Sequence, residues 1–163
     1  MNLWFRLLWL IGLAIFGRRL DLPSEASTLN YRVWPTDLDT SAHMNNGRYW
    51  TLMDQGRADL MLRSGLWRAI LKHGWTPVVS AAEIRFRREL RLFQPFRLET
   101  RILCWAEGWI VMEHRMISRG KKGEIVNAIA LVRAGLYDRK ARAFVPMERL
   151  LGELGKQVAS PPP

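Results

Sequence analysis

The chain has 163 residues, which is enough for one domain with a sizeable core. Charged residues make up 25% and hydrophobic residues 48% of the sequence, which excludes a disordered composition. The formal net charge of +10 predicts an anionic partner, such as a membrane surface or a phosphate-bearing molecule. We expect no nucleic-acid partner, because the sequence has no zinc-knuckle spacing and no RNA-binding aromatic signature.

Cysteine and histidine usage argues against a disulfide-stabilised protein and against a metal-binding protein. The single cysteine, Cys104, cannot form an intrachain disulfide, and nothing requires an oxidising compartment. His43, His73 and His114 are far apart in sequence, and no Cys/His cluster has metal-ligand spacing. We therefore predict no metal site and no cofactor.

Residues 3–16 are the most apolar segment of the chain, interrupted by Arg6 and closed by Gly17-Arg18-Arg19. The run is shorter than the ~20 residues that span a bilayer comfortably, and it lacks a clear signal-peptide cleavage site. Its tryptophans suit a membrane interface and its arginines suit anionic headgroups. We expect residues 1–19 to form a membrane-associating helix on a cytoplasmic protein. The alternative is a helix that docks on the domain or on an oligomer partner.

After a linker at residues 20–27, the patterns of one folded domain cover residues 28–156. A short strand precedes a long helix, Asn46–Ser64, that ends at Gly65, and a second helix is predicted over Leu66–His73. From Thr76 onward, successive side chains alternate between the two faces of predicted strands, with a period of two residues. This part of the sequence predicts strands at 76–88, 96–106, 109–119 and 124–137, a turn at Glu107-Gly108, a closing helix at 146–154 and a disordered tail at 157–163.

This order of elements predicts an α+β domain, with one long helix on one face of an antiparallel sheet. An open edge strand would favour dimerisation through a shared sheet.

The loop before the long helix reads Asp37-Leu-Asp-Thr-Ser-Ala-His-Met-Asn-Asn-Gly-Arg-Tyr49. It places carboxylates, an imidazole and two amides beside a helix N-terminus, where free N–H groups favour developing negative charge. This arrangement suits attack on a carbonyl. The alternative is structural, because Asn45 and Asn46 are good N-cap residues and the other polar residues are ordinary loop formers.

This loop resembles the active-site loop of hotdog-fold thioesterases of the 4-hydroxybenzoyl-CoA thioesterase type. It is more similar still to acyl-ACP thioesterases of plants and THEM-type proteins of animals. The resemblance covers roughly Thr28–Asp138. It implies a hotdog fold, in which an antiparallel sheet wraps around one long central helix. It also implies an acyl thioester hydrolase of fatty acid metabolism, acting on acyl-CoA or acyl-carrier protein as a homodimer or tetramer, with the site at the subunit interface.

Three loop residues and one later residue carry the implied chemistry. Asp39 falls on the aspartate that this group uses as nucleophile or general base, and His43 falls on the histidine of the plant-type motif. Ser41 stands where that motif has a catalytic asparagine, which is a departure from the family pattern. Glu89 resembles the glutamate that plant-type enzymes carry on the strand after the long helix. It would equally serve as a solvated partner of Arg87 or Arg91.

Further residues are expected to bind substrate. Backbone N–H groups near Asn46 and Gly47 would hold an oxyanion, and Asn45 would position the loop or touch the carbonyl, unless it only caps the helix. A basic run would bind the phosphates of a nucleotide-bearing thiol carrier, or form a solvated strand face: Arg85, Arg87, Arg88 and Arg91. The alternative function is a non-catalytic hotdog protein that binds an acyl lipid or a partner at a membrane.

Overall fold

An antiparallel sheet packed against a long helix forms the body of the protein. The computed structural model describes residues 3–106 and 108–161, so Glu107 of the predicted turn and the end of the predicted tail lie outside the described residues. The helices are α1 Leu3–Phe16, α2 Asn46–Ser64, α3 Leu66–His73 and α4 Met147–Glu153. The strands are β1 Ser27–Arg32, β2 Thr76–Phe86, β3 Pro95–Ala106, β4 Trp109–Gly120, β5 Gly123–Asp138 and β6 Ala143–Phe144.

The strands lie in the order β1-β3-β4-β5-β2, and every neighbouring pair is antiparallel. The two-residue β6, which the sequence pattern does not predict, pairs with β5 at Tyr137 and Asp138, beyond the last residue that β4 covers. In the described part of the chain, β2 pairs with β5 alone. Its other side is therefore an open edge.

The long helix α2 has the predicted boundaries, and both are set by local chemistry. The Asn45 side chain accepts a hydrogen bond from the Gly47 N–H at 2.8 Å and so caps the N-terminus. Gly65 ends the helix with φ +84°, a left-handed conformation that favours glycine.

One face of α2 is buried against the sheet. Leu52 and Met53 are almost fully buried in a core that includes Leu98 of β3. At Gly56 the helix makes a close approach to β3, because an added Cβ would lie 2.3 Å from the Thr100 hydroxyl oxygen. Tight packing of helix on sheet fixes the position of the N-terminus of α2, where the candidate site lies.

Strand β2 is two residues shorter than the predicted 76–88. It ends at Phe86 because the N–H groups of Arg87 and Arg88 both donate to the Asn127 carbonyl, at 2.8 and 3.1 Å. Because two successive residues of one chain segment share a single acceptor, the one-to-one pairing of β2 with β5 ends there. The prediction that places Arg87 and Arg88 in this strand is therefore wrong, since both lie in the loop that follows it.

The predicted linker at 20–27 packs against the domain. Leu22 is 1% exposed, and the Leu20 N–H donates to the Arg63 carbonyl at the end of α2. In the predicted tail, the Ser160 hydroxyl accepts a hydrogen bond from the Trp105 N–H at 3.0 Å.

Helix α1 docks on the domain along one side. Arg6 and Leu10 are buried, whereas Phe5, Leu8 and other large apolar side chains of the helix are exposed. None of the helices in the described part of the chain combines the length and the apolar character needed to cross a bilayer.

Candidate active site

The loop between β1 and α2 folds as a tight hairpin over residues 37–45. The Asp37 carbonyl accepts from the Asn45 N–H, and the Asp39 N–H donates to the His43 carbonyl, both at 2.9 Å. Ala42, with φ +59°, closes the turn by donating to the Asp39 carbonyl. The predicted catalytic residues of the loop are thus brought together at its tip: Asp39, Ser41 and His43.

The Asp39 carboxylate is exposed and held from one side. Its Oδ1 accepts a hydrogen bond from the backbone N–H of Ser41 at 2.9 Å. Its Oδ2 has no hydrogen-bond partner among the described residues. Ser41 therefore contributes its backbone to the position of Asp39. Its exposed hydroxyl makes no hydrogen bond within the described residues. The carboxylate is oriented and accessible, as a general base or a nucleophile must be.

The hairpin is paired with the segment after β2, and this pairing brings Glu89 towards His43. The Met44 N–H donates to the Leu90 carbonyl at 2.9 Å, and a β-bridge joins His43 to Arg91. The hydrogen bond from Arg91, at 2.8 Å, lowers the pKa of Glu89, and the nearby His43 acts in the same direction. Glu89 is therefore an exposed partner of Arg91, as one of its two interpretations expects, and its catalytic role stays a prediction.

The backbone donors at the start of α2 differ from the prediction in one respect. The Gly47 N–H donates to the Asn45 side chain, so it is not free to hold an oxyanion while the cap is in place. The Asn46 N–H lies one residue earlier, in the first turn, where an α-helix offers no intrahelical acceptor. Asn46 is therefore the better candidate donor.

The predicted basic run lies at the open edge of the sheet and in the loop beyond it. Arg85, Arg87 and Arg88 are exposed, and none of them pairs with a carboxylate among the described residues. Arg91 differs, since it pairs with Glu89. The described residues also contain no group of three or more His, Cys, Asp or Glu side chains that would hold a metal ion.

Sequence reasoning missed the role of Asp37, which it treats as a loop former. The carboxylate is buried beneath the hairpin, where its Oδ2 accepts from Arg6 of α1 at 2.5 Å and from the Trp34 N–H at 2.9 Å. Arg48, in the first turn of α2, lies 3.7 Å from Oδ1. Asp37 thus joins α1, the hairpin and α2, and only the three-dimensional structure reveals its distant partner Arg6.

A second missed feature is a buried polar group under α2. His114 of β4 is fully buried, with Nδ1 2.9 Å from the Thr100 hydroxyl and Nε2 3.4 Å from Arg57 of α2. Burial lowers the pKa of His114 to about 3, and the Arg57 charge acts in the same direction. Side chains of β4 alternate between the two faces of the sheet, and this pattern could have predicted that His114 faces the core. Met112 and Met116, on the same face, are also buried.

Comparison with known proteins identifies the family. The model described as the thioesterase-like superfamily matches residues 33–157. The chain belongs to the thioesterase-like superfamily. A curated relative, protein THEM6 of Xenopus laevis, is 39% identical over 101 residues, which are 62% of this chain and 48% of the relative. The chain spans about half the length of the curated relatives it matches.

Solved structures of other proteins share the fold of this superfamily member. The probable thioesterase YbaW from Escherichia coli superposes with a TM-score of 0.70 and 22% identity, over 78% of this chain and 95% of that protein. A mutant 4-hydroxybenzoyl-CoA thioesterase, solved with 4-hydroxybenzoyl-CoA, gives a TM-score of 0.71 and 14% identity, over 82% of this chain and all of that protein. These similarities confirm the predicted hotdog fold, an α+β domain with one long helix.

Proposed function

We propose that the protein hydrolyses acyl thioesters, with Asp39 as the central carboxylate. The observation that carries this proposal is the tip of the 37–45 hairpin, where an exposed carboxylate is oriented by the Ser41 N–H beside the N-terminus of α2. Membership of the thioesterase-like superfamily supports the reaction class.

The chemistry follows from the positions of these groups. The free Oδ2 of Asp39 would take a proton from water, and the water oxygen would form a bond to the thioester carbon as the carbonyl becomes an oxyanion. The Asn46 N–H and the positive end of α2 would stabilise that charge. The C–S bond then breaks, and the thiolate takes up the proton. His43, with Glu89 beside it, would orient water or carry that proton. Direct attack by Asp39, followed by hydrolysis of an acyl-enzyme anhydride, is the alternative course.

We propose acyl-CoA as the substrate, and a carrier-protein thioester as the alternative. Exposed cations within a few residues of Glu89 would contact the phosphates of a CoA-like carrier: Arg85, Arg87 and Arg88. The 4-hydroxybenzoyl-CoA bound to one solved relative supports a CoA thioester. Tyr49 and Met53 of α2 face inward and belong to the packed core.

The proposed active form is a homo-oligomer, with a dimer as its basic unit. The catalytic candidates Asp39 and Ser41 are exposed in a single chain, so none of the described residues screens them from bulk water. The open edge strand β2 runs towards the same segment and exposes Val79 and Phe86. A second copy paired along this edge would cover the site.

The test is release of free thiol from a panel of short, long and aromatic acyl-CoAs. We expect Asp39→Asn to lower kcat by about a hundredfold or more, because it removes the base and keeps the shape of the side chain. Asp21→Asn, an exposed site remote from the hairpin, is the matched control and should retain activity.

Equal activity in wild type and Asp39→Asn would contradict the role of Asp39. If no acyl-CoA or acyl-carrier protein is cleaved although an acyl-CoA binds, the non-catalytic acyl-binding function takes its place. The serine at position 41 is the sequence feature that favours this second function.

A further inference from the structure

The outer side of α1 is an exposed apolar surface. Phe5 is 64% exposed and Leu8 is 62% exposed, and Trp9 and Ile11 are about 40% exposed. The opposite side of the helix is fixed to the domain by the buried residues Arg6 and Leu10. The apolar surface therefore faces away from the body of the protein, and no described residue covers it.

Helix α3 continues this surface on the other side of a cleft. Trp67 and Leu71, one helical turn apart, are 37% and 71% exposed, while Leu66 and Ala69 face the core. A cleft of about 870 Å³ lies between the two helices and is lined by Ile11 of α1 and Trp67 of α3. It lies at the C-terminal end of α2, the end remote from the 37–45 hairpin.

The cleft has a surplus of positive charge. Five basic and two acidic residues line it. Both carboxylates are already paired, Asp21 with Lys156 and Glu153 with Lys72 and His73. Arg19 and Arg68 pair with no carboxylate among the described residues. Two cations beside apolar helices thus remain available for an anion from outside the chain.

We propose that α1 and α3 form a docking face for the surface of an anionic phospholipid bilayer, with lipid headgroup phosphates at Arg19 and Arg68. The exposed side chains of both helices enter the boundary between headgroups and acyl chains, and the cations select anionic lipid. Charge complementarity favours a bilayer over a second copy of this chain at this face, because a second copy would bring the unpaired cations Arg19 and Arg68 of both chains together. This mode of binding needs no spanning helix.

The experiment is co-sedimentation of the full chain with phosphatidylcholine vesicles that contain or lack phosphatidylserine. Wild type is expected to sediment with the phosphatidylserine vesicles at least tenfold more strongly than with the neutral vesicles, and added salt is expected to weaken the binding. Arg19→Gln combined with Arg68→Gln is expected to lower the partition coefficient about tenfold or more. The charge-matched control is Arg119→Gln combined with Arg139→Gln, which removes two exposed arginines that do not line the cleft.

The apolar part of the face is tested by Leu8→Ser combined with Leu71→Ser, which should weaken vesicle binding several-fold. Its control is Leu131→Ser combined with Val158→Ser, since these side chains are 43% and 46% exposed outside the face. Absence of wild-type binding to phosphatidylserine vesicles would overturn the proposal, and so would equal loss in each variant and its control. Sedimentation does not depend on thioester hydrolysis, so the two proposals fail separately.

Discussion

At the scale of single residues, Asn45 determines how the candidate site is presented. Its side chain accepts from the Gly47 N–H and so holds the first turn of α2 directly behind the hairpin. We expect Asn45→Ala to lower the free energy of unfolding by about 1 kcal/mol, and Asn45→Asp to preserve it, because aspartate caps equally well. Urea denaturation of the two variants measures this, and equal stabilities would contradict the capping role.

His114 gives the protein a specific pH dependence. Its pKa is lowered to about 3 in the folded state, whereas the unfolded chain has an ordinary histidine pKa of about 6.5. As the pH falls below 6.5, the unfolded state takes up a proton that the folded state excludes, so stability decreases towards acid pH by up to about 1.4 kcal/mol per pH unit.

We expect His114→Gln to flatten this dependence between pH 6.5 and 5, a range in which carboxylates contribute little. Urea unfolding at several pH values measures the slope. The groups that face the imidazole are the Thr100 hydroxyl and the Arg57 guanidinium, and neither changes its charge in that range. A slope identical to that of wild type would show that His114 does not titrate as described.

At the scale of elements, the ion pair between Arg6 and Asp37 joins α1 to the hairpin. Both side chains are 2% exposed, so removing one partner leaves a buried charge without compensation. We expect Arg6→Met or Asp37→Asn alone to destabilise the protein by about 3–5 kcal/mol. The double variant should cost less than the sum of the two single changes, because it removes both charges together.

Wild type, the two single variants and the double variant form a double-mutant cycle. Their denaturant unfolding gives the coupling energy between Arg6 and Asp37. Strictly additive effects would mean that the pair does not hold α1 to the hairpin. Arg48, which also lies near the Asp37 carboxylate, can compensate in part, and Arg48→Met added to the cycle measures that share.

The helices and strands were predictable from the sequence wherever neighbouring residues alone set their boundaries. Asn45 and Gly65 mark the ends of α2 in the sequence itself, and the alternation after Thr76 gives the long strands to within one or two residues. The end of β2 was not predictable, because it depends on the carbonyl of Asn127, far along the chain. The two-residue β6 was missed for a similar reason, since it is too short for a periodic pattern and Phe144 is held by packing on Trp109.

The same distinction applies to the candidate site. A contiguous motif carries Asp39, Ser41 and His43, so their proximity follows from the sequence. The pairing of the hairpin with Leu90 brings in Glu89, and only a resemblance to a known family anticipates that contact. The link from Asp37 to Arg6 crosses 31 positions and has no local signal. The roles assigned to these site residues stay predictions.

At the scale of the whole molecule, the open edge of β2 predicts self-association. Val79→Lys places a charge on that edge at a side chain that is 49% exposed. We expect the variant to be monomeric where wild type is dimeric, and to lose thioesterase activity together with the dimer. Leu131→Lys, which charges an exposed position of β5 away from the edge, is the matched control.

Light scattering coupled to size exclusion, over a range of protein concentrations, measures this association. A wild-type protein that is monomeric and fully active would contradict the need for a second copy. A dimer that persists in Val79→Lys would place the interface on another surface.

The buried contact of Arg6 has a practical consequence for anyone who expresses this protein. Because the first helix is apolar, a shortened chain without it would be one way to seek a higher yield. Here that deletion would remove the partner of Asp37, two residues before Asp39, and open the base of the hairpin to water. A shortened protein that is inactive would therefore not show that the natural chain lacks activity. Replacing only the outward side chains of the helix would improve solubility and keep the hairpin in place.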